Sequence, residues 1–223
     1  MGSENIIEME SKEIFDKFYS IKKRAEESKK DKKKKSIKKF LGHIFRYLLF
    51  AKIKEKEYIP KQYTLVEGPL YIRGIEWIEW DGAIVIGKKK VDSYYDSDDI
   101  IALFEIKSGG IYGDSGGKKH LRGEEAVRES LKKIKKRFME AKKQNLEIKC
   151  IYITLWERTP MNHEKSILYY DLTKEILNDD NSGFLAFALY KSINKDPEPY
   201  RNVWRGEKGI ARSIQELFQN QDK

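Results

Sequence analysis

The apolar positions of this chain fall into two periods, and the switches between them mark its elements. Ile7, Ile14, Phe18 and Ile21 lie seven, four and three residues apart, one face of a helix over residues 4–27. The pattern then stops. Ser28-Lys29-Lys30-Asp31-Lys32-Lys33-Lys34-Lys35-Ser36 has nothing to bury and reads as a solvated linker. Helical spacing returns with Ile37, Phe40, Leu41, Ile44, Phe45, Leu48 and Leu49, which predicts a helix over 37–54 packed on a core by a wide apolar face.

After Pro60 the period shortens. Short strands fit 63–66 and 70–72, on either side of Gly68 and Pro69. Residues 75–87 are rich in β-branched and aromatic side chains and stop at Gly87 before three lysines, as a strand does. A polar loop follows over 88–99. Residues 100–107 form a continuous apolar strand whose far end turns charged, and 109–117 is a glycine-rich loop. Val127, Leu131, Ile134, Phe138 and Ala141 step by four and three, so 123–144 is a helix. An apolar strand over 146–155 follows. A long helix between two apolar strands implies a crossover in a mixed sheet. Beyond Pro160 the pattern fits a strand at 166–170, a short helix at 173–177 and a helix at 209–219; residues 184–190 suit either helix or strand. The chain thus divides into an N-terminal helix with a basic linker, 1–36, and an α/β domain, 37–223.

Composition narrows the class. The 223 residues allow one large domain, or one domain with an arm. Hydrophobic residues are 39% and charged residues 36%, polar for a globular protein but enough for one core. The net charge of +9 points to a polyanionic partner. A single cysteine, Cys150, excludes an intrachain disulfide and a Cys-based zinc site. No run of about 18 apolar residues is present to cross a membrane. The N-terminus carries Glu4, Glu8 and Glu10 where a secretory signal needs an apolar stretch. The expectation is a soluble, intracellular, cytoplasmic protein with no membrane partner.

The chemistry gathers at two strands. Glu105 and Lys107 are two apart, so their side chains share a face. Asp81 lies on the preceding strand, and if the two strands pair it comes close to Glu105. Two carboxylates and an ammonium at one sheet edge are costly to leave unpaired. A divalent cation relieves that cost, and carboxylate oxygens suit Mg²⁺ or Mn²⁺. Such an ion polarises a phosphate and acidifies a bound water, while Lys107 orients that water or neutralises developing charge. Glu-x-Lys alone means little, since it begins also at Glu10, Glu27, Glu140 and Glu147. Only Glu105 closes a buried-type strand with an Asp-bearing strand just before it. The plain alternative is a surface ion pair at a strand end.

Asp81-Gly82 followed by Phe104-Glu105-Ile106-Lys107-Ser108-Gly109 resembles the metal-binding core of the PD-(D/E)xK nuclease superfamily, most of all a prokaryotic branch of it. The resemblance covers roughly residues 38–155. It implies a restriction-endonuclease-like α/β core, a mixed central sheet flanked by helices, here with an N-terminal helical arm. It also implies Mg²⁺ (or Mn²⁺) held by Asp81, Glu105 and the backbone carbonyl of Ile106, with Asp81, Glu105 and Lys107 catalytic. The expected activity is endonucleolytic cleavage of phosphodiesters, in DNA before RNA, with a homodimer left open. Many members carry an acid on the helix before the sheet; here that helix offers His43, Arg46 and Tyr47, and no acid before Glu55. Trp80 stands where a proline is common. Glu79, two before Asp81, is a possible additional carboxylate. Nucleic acid would be gripped by Lys32, Lys33, Lys34 and Lys35 and by Lys118, Lys119, His120 and Arg122 in the segment after the site. Lys132, Lys133, Lys135, Lys136 and Arg137 read mostly as the solvated face of the long helix, and Trp77 and Trp80 as residues packed on opposite sheet faces. The alternative function is a nucleic-acid-binding module on the same fold with weak or no cleavage, which the missing helix acid favours.

Overall fold

The computed structural model describes residues 17, 20, 21, 24, 34–55, 59–107, 124–156, 175–177, 184–190, 214 and 218. Helix α1 runs Lys34–Glu55. It begins at Lys34, so Lys34 and Lys35 are helical and not linker. Lysine's straight stem loses little rotamer freedom in a helix, so a charge run is no barrier to its start. Strand β1, Tyr63–Ile72, is one strand where two were expected. Gly68 and Pro69 punctuate it without ending it: the pairing with β2 slips between Glu67–Gly82 and Leu70–Trp80, a bulge that accommodates the missing proline N–H. Arg73 and Gly74 make the turn, and Gly74 takes φ +86°, open to glycine at no steric cost.

Strand β2, Ile75–Ile86, matches its apolar run. The expected loop over 88–99 contains a two-residue strand β3, Tyr94–Tyr95, and a 3₁₀ turn, Ser97–Asp99. Too short to show a period, β3 forms because Tyr94 stacks on Tyr71 at 5.3 Å across the pair. Then come β4, Ile100–Lys107, helix α2, Glu124–Gln144, and β5, Lys149–Trp156. Strand β5 starts later than its apolar run because the Asn145 side chain accepts the Glu147 N–H, and the Asn145 carbonyl that of Ile148. Residues 184–190 resolve as a strand, β6, Phe184–Tyr190. The segments 109–117 and 166–170 lie outside the described residues. Within 173–177 and 209–219, residues 175–177, 214 and 218 are helical.

The six strands form one mixed sheet in the order β3-β1-β2-β4-β5-β6. Strand β2 is antiparallel to both β1 and β4, whereas β5 is parallel to β4 and β6 to β5. The β4–α2–β5 passage is the crossover that a parallel pair requires. Alternation assigns the faces. Ala102, Phe104 and Ile106 of β4 join Phe45, Leu49, Phe50 and Ile53 of α1 in one apolar layer. Leu103, and Ile100 beyond the register shift at Ile84–Val85, join Leu131, Ile134, Phe138 and Ala141 of α2 in the other. Both faces of β4 are therefore covered, which is why its sequence is continuously apolar and not alternating. No helix among the described residues is long and apolar enough to cross a membrane.

Candidate functional site

The site lies where β2 and β4 stop pairing. Their ladder ends at Gly82–Phe104. One step further along the same register stand Asp81 and Glu105, while β4 continues beside β5 through Ile106–Ile153 and Lys107–Thr154. The split frees backbone groups that a ladder would have satisfied, and buried groups of that kind must find other partners. Side chains supply them. Asp81 Oδ2 accepts the Ile106 N–H at 2.7 Å, reaching across the split. Arg137 of α2 donates to the Glu79 carbonyl.

Gly82, beside Asp81, is required by packing. A Cβ there would run into the ring of Phe50, which descends from α1 and meets Phe104 edge-on at 5.4 Å. The glycine thus lets α1 seat close against the strand that carries the carboxylate.

Each carboxylate has its own arginine, and the two arginines come from opposite layers. Arg46 of α1 donates to Asp81 Oδ1 at 3.0 Å, and its other terminal nitrogen lies 3.0 Å from His43 Nδ1. Arg137 of α2 donates to Glu105 Oε1 at 2.9 Å, and Lys107 Nζ reaches the same oxygen. The Arg137 guanidinium also lies over the Trp80 ring, 5.3 Å from its centre, and that ring stacks on Phe138 at 5.4 Å. Glu105 is 2% exposed, Asp81 24% and Lys107 42%. Glu105 is therefore a buried carboxylate with two cationic partners, not half of a surface pair. Tyr152, the β5 neighbour of Glu105 in the parallel register, is buried beside this group.

The two arginines are the residues that sequence reasoning missed. Arg137 was expected on the solvated face of its helix; it points instead into the site. It precedes the buried Phe138 and follows Ile134 by three, a boundary position on the helix. The legible signal was its chemistry: it is the arginine ending a run of lysines, and a guanidinium suits a buried ion pair better than a strongly hydrated ammonium. Arg46 occupies the helix that lacks an acid, and supplies a cation there.

The other expected residues are distributed as follows. Glu79 contributes its carbonyl to the site, and its side chain is exposed. Among the described residues no three His, Cys, Asp or Glu side chains gather as a metal-holding group. Lys34 and Lys35 open α1. Lys32, Lys33, Lys118, Lys119, His120 and Arg122 lie outside the described residues. Trp80 packs under α2, but Trp77 is 68% exposed and packs on neither face. Cys150 is buried in the core, and desolvation pushes its thiol pKa up, which leaves it inert.

The donors suit a hard cation. In an extended strand one residue's N–H and C=O project to the same side, so the Ile106 carbonyl turns toward β2 along with the N–H that Asp81 accepts. Carboxylate and carbonyl oxygens, the donors that Asp81, Glu105 and Ile106 offer, are of the type that binds Mg²⁺ or Mn²⁺. Comparison with family models, with curated proteins and with solved structures finds no match for this chain.

Proposed function

We propose that this protein is a divalent-metal-dependent nuclease acting on DNA, with a core of the PD-(D/E)xK type. One observation carries the reading: Asp81 and Glu105-Ile106-Lys107 stand at one level on neighbouring antiparallel strands, at the point where their pairing ends. The element order supports it too: a helix, three antiparallel core strands, a helix and a parallel strand follow in succession. That is the order expected of a restriction-endonuclease-like core.

In this reading Asp81, Glu105 and the Ile106 carbonyl would hold the ion, which would supply Lewis-acid polarisation of the phosphate and an acidified water. The protein's own part is positional. The Ile106 amide orients Asp81, and in the free protein Arg137, lying over the Trp80 face, is the counterion of Glu105. Lys107 Nζ uses one donor on Glu105 and is the most exposed of the three cations. Among the described residues its remaining N–H groups have no other partner, and they would hold the attacking water or the oxyanion that develops on phosphorus.

The test combines calorimetry of Mn²⁺ binding with cleavage of linear, supercoiled, single-stranded and branched DNA. Asp81→Ala and Glu105→Ala lose both metal and cleavage. Lys107→Ala keeps the metal and loses rate on the order of 10²-fold or more. A wild type that binds no metal and cuts nothing overturns the reading. A Lys107→Ala variant that cuts as well as wild type overturns the role given to Lys107. The second reading, a binding module without cleavage, is favoured by the arginine that already satisfies each carboxylate. It predicts DNA binding that survives chelation and both carboxylate substitutions.

A further inference from the structure

We propose that Arg46 and Arg137 make metal and nucleic acid bind cooperatively: each arginine blocks a metal-ligating carboxylate until a phosphodiester takes over as its counterion. The proposal rests on the reading of the site given above.

The charge balance carries it. Two ion-pair groups border the split, Asp81 with Arg46 and Glu105 with Arg137 and Lys107; the carboxylates bring −2 and the cations +3, so together they stand at 3 − 2 = +1. A divalent ion alone raises that to +3. It must also compete with Arg46 for Asp81 and with Arg137 and Lys107 for a carboxylate that is 2% exposed. Charge in a partly buried site is costly without compensation. Metal binding by the free protein is therefore weak.

Neither arginine is held by its carboxylate alone. Arg137 also donates to the Glu79 carbonyl and lies on the Trp80 ring. Arg46 also contacts His43 Nδ1. When a metal claims the carboxylates, these other partners keep both guanidinium groups at the split. Each then faces the split with a planar fork that matches phosphate oxygens. A phosphodiester entering there lowers the net charge and replaces the lost carboxylates. Metal thus makes room for phosphate, and phosphate offsets the charge of the metal. Linkage requires the effect to be reciprocal.

The experiment is an Mn²⁺ titration of the full chain, read by electron paramagnetic resonance at constant ionic strength. It is run on the protein alone, with a short DNA duplex, and with one strand of that duplex. At least one DNA form tightens Mn²⁺ binding by about 5- to 150-fold, the usual span of coupling between two sites. Arg137→Gln and Arg46→Gln, checked for folding by their thermal transitions, bind Mn²⁺ more tightly than wild type when no DNA is present, and DNA then adds less. The wild-type comparison needs no variant, so a misfolded substitution leaves the test intact. Equal Mn²⁺ affinity with and without DNA overturns the cooperativity and leaves the nuclease reading standing. No Mn²⁺ uptake under any condition overturns both.

Discussion

At the scale of single residues, the two arginines are not equivalent. Removing Arg137 takes a partner from a carboxylate with almost no access to water, and Lys107 covers only part of the loss. Arg137→Ala should cost about 3 kcal/mol, the lower end for breaking a buried pair. Asp81 is part-exposed and keeps its Ile106 amide, so Arg46→Ala should cost about 1 kcal/mol. Urea denaturation of both variants checks the order; equal losses would contradict the burial argument. Gly82→Ala is a separate case. Its methyl group meets the Phe50 ring, and the overpacking should cost about 1–3 kcal/mol, partly restored by Phe50→Leu in the same chain. The glycine after Asp81 was legible as a motif, but its reason was not, because Phe50 is far away in sequence.

Among the elements, helix α2 has the sharpest phase. Phe138 is fully buried against Trp80, whereas the next residue, Met139, is well exposed. Phe138→Ala should lose about 3–5 kcal/mol and Met139→Ala less than about 0.5 kcal/mol, measured by the same denaturation curves. A reversed order would mean that the helix is rotated. The segment between β2 and β4 carries a weaker, pH-dependent tie. A hydrogen bond to Asp99, with Asp96 nearby, raises the Lys90 pKa above the usual lysine range. Its stabilisation is therefore present at neutral pH and is lost as pH rises through that raised value. Because the pair is about one-third exposed, the effect is well under 1 kcal/mol. Asp99→Asn should reduce this alkaline loss in a pH series of melting temperatures, with the Asp96 contact keeping the remainder.

For the whole molecule, the net charge of +9 governs encounter with a polyanion. DNA affinity should fall with salt with a log–log slope of about −0.9 for each phosphate neutralised. Deleting residues 29–35 should flatten that slope, and fluorescence anisotropy across a salt series reads it directly. An unchanged slope would return the lysine run to the role of a connector. Lys34 and Lys35 begin α1, so the deletion also shortens that helix, and its helicity should be followed in parallel.

Local pattern was enough for the elements of the core. β-branched and aromatic content marked β2, continuous apolar runs marked β4 and β5, and steps of three and four marked α1 and α2, because burial repeats at the period of the backbone. The neighbouring placement of Asp81 and Glu105 also followed from element order, since successive strands tend to pair. Only the tertiary structure decided what those carboxylates touch. An arginine's partner depends on which layer covers which sheet face, and no window of sequence around Arg46 or Arg137 contains Asp81 or Glu105. The bulge at Gly68–Pro69 and the short strand at Tyr94–Tyr95 were hidden for the same reason: each exists because of a neighbouring strand. Period reports which residues are buried, and packing alone determines which charges meet.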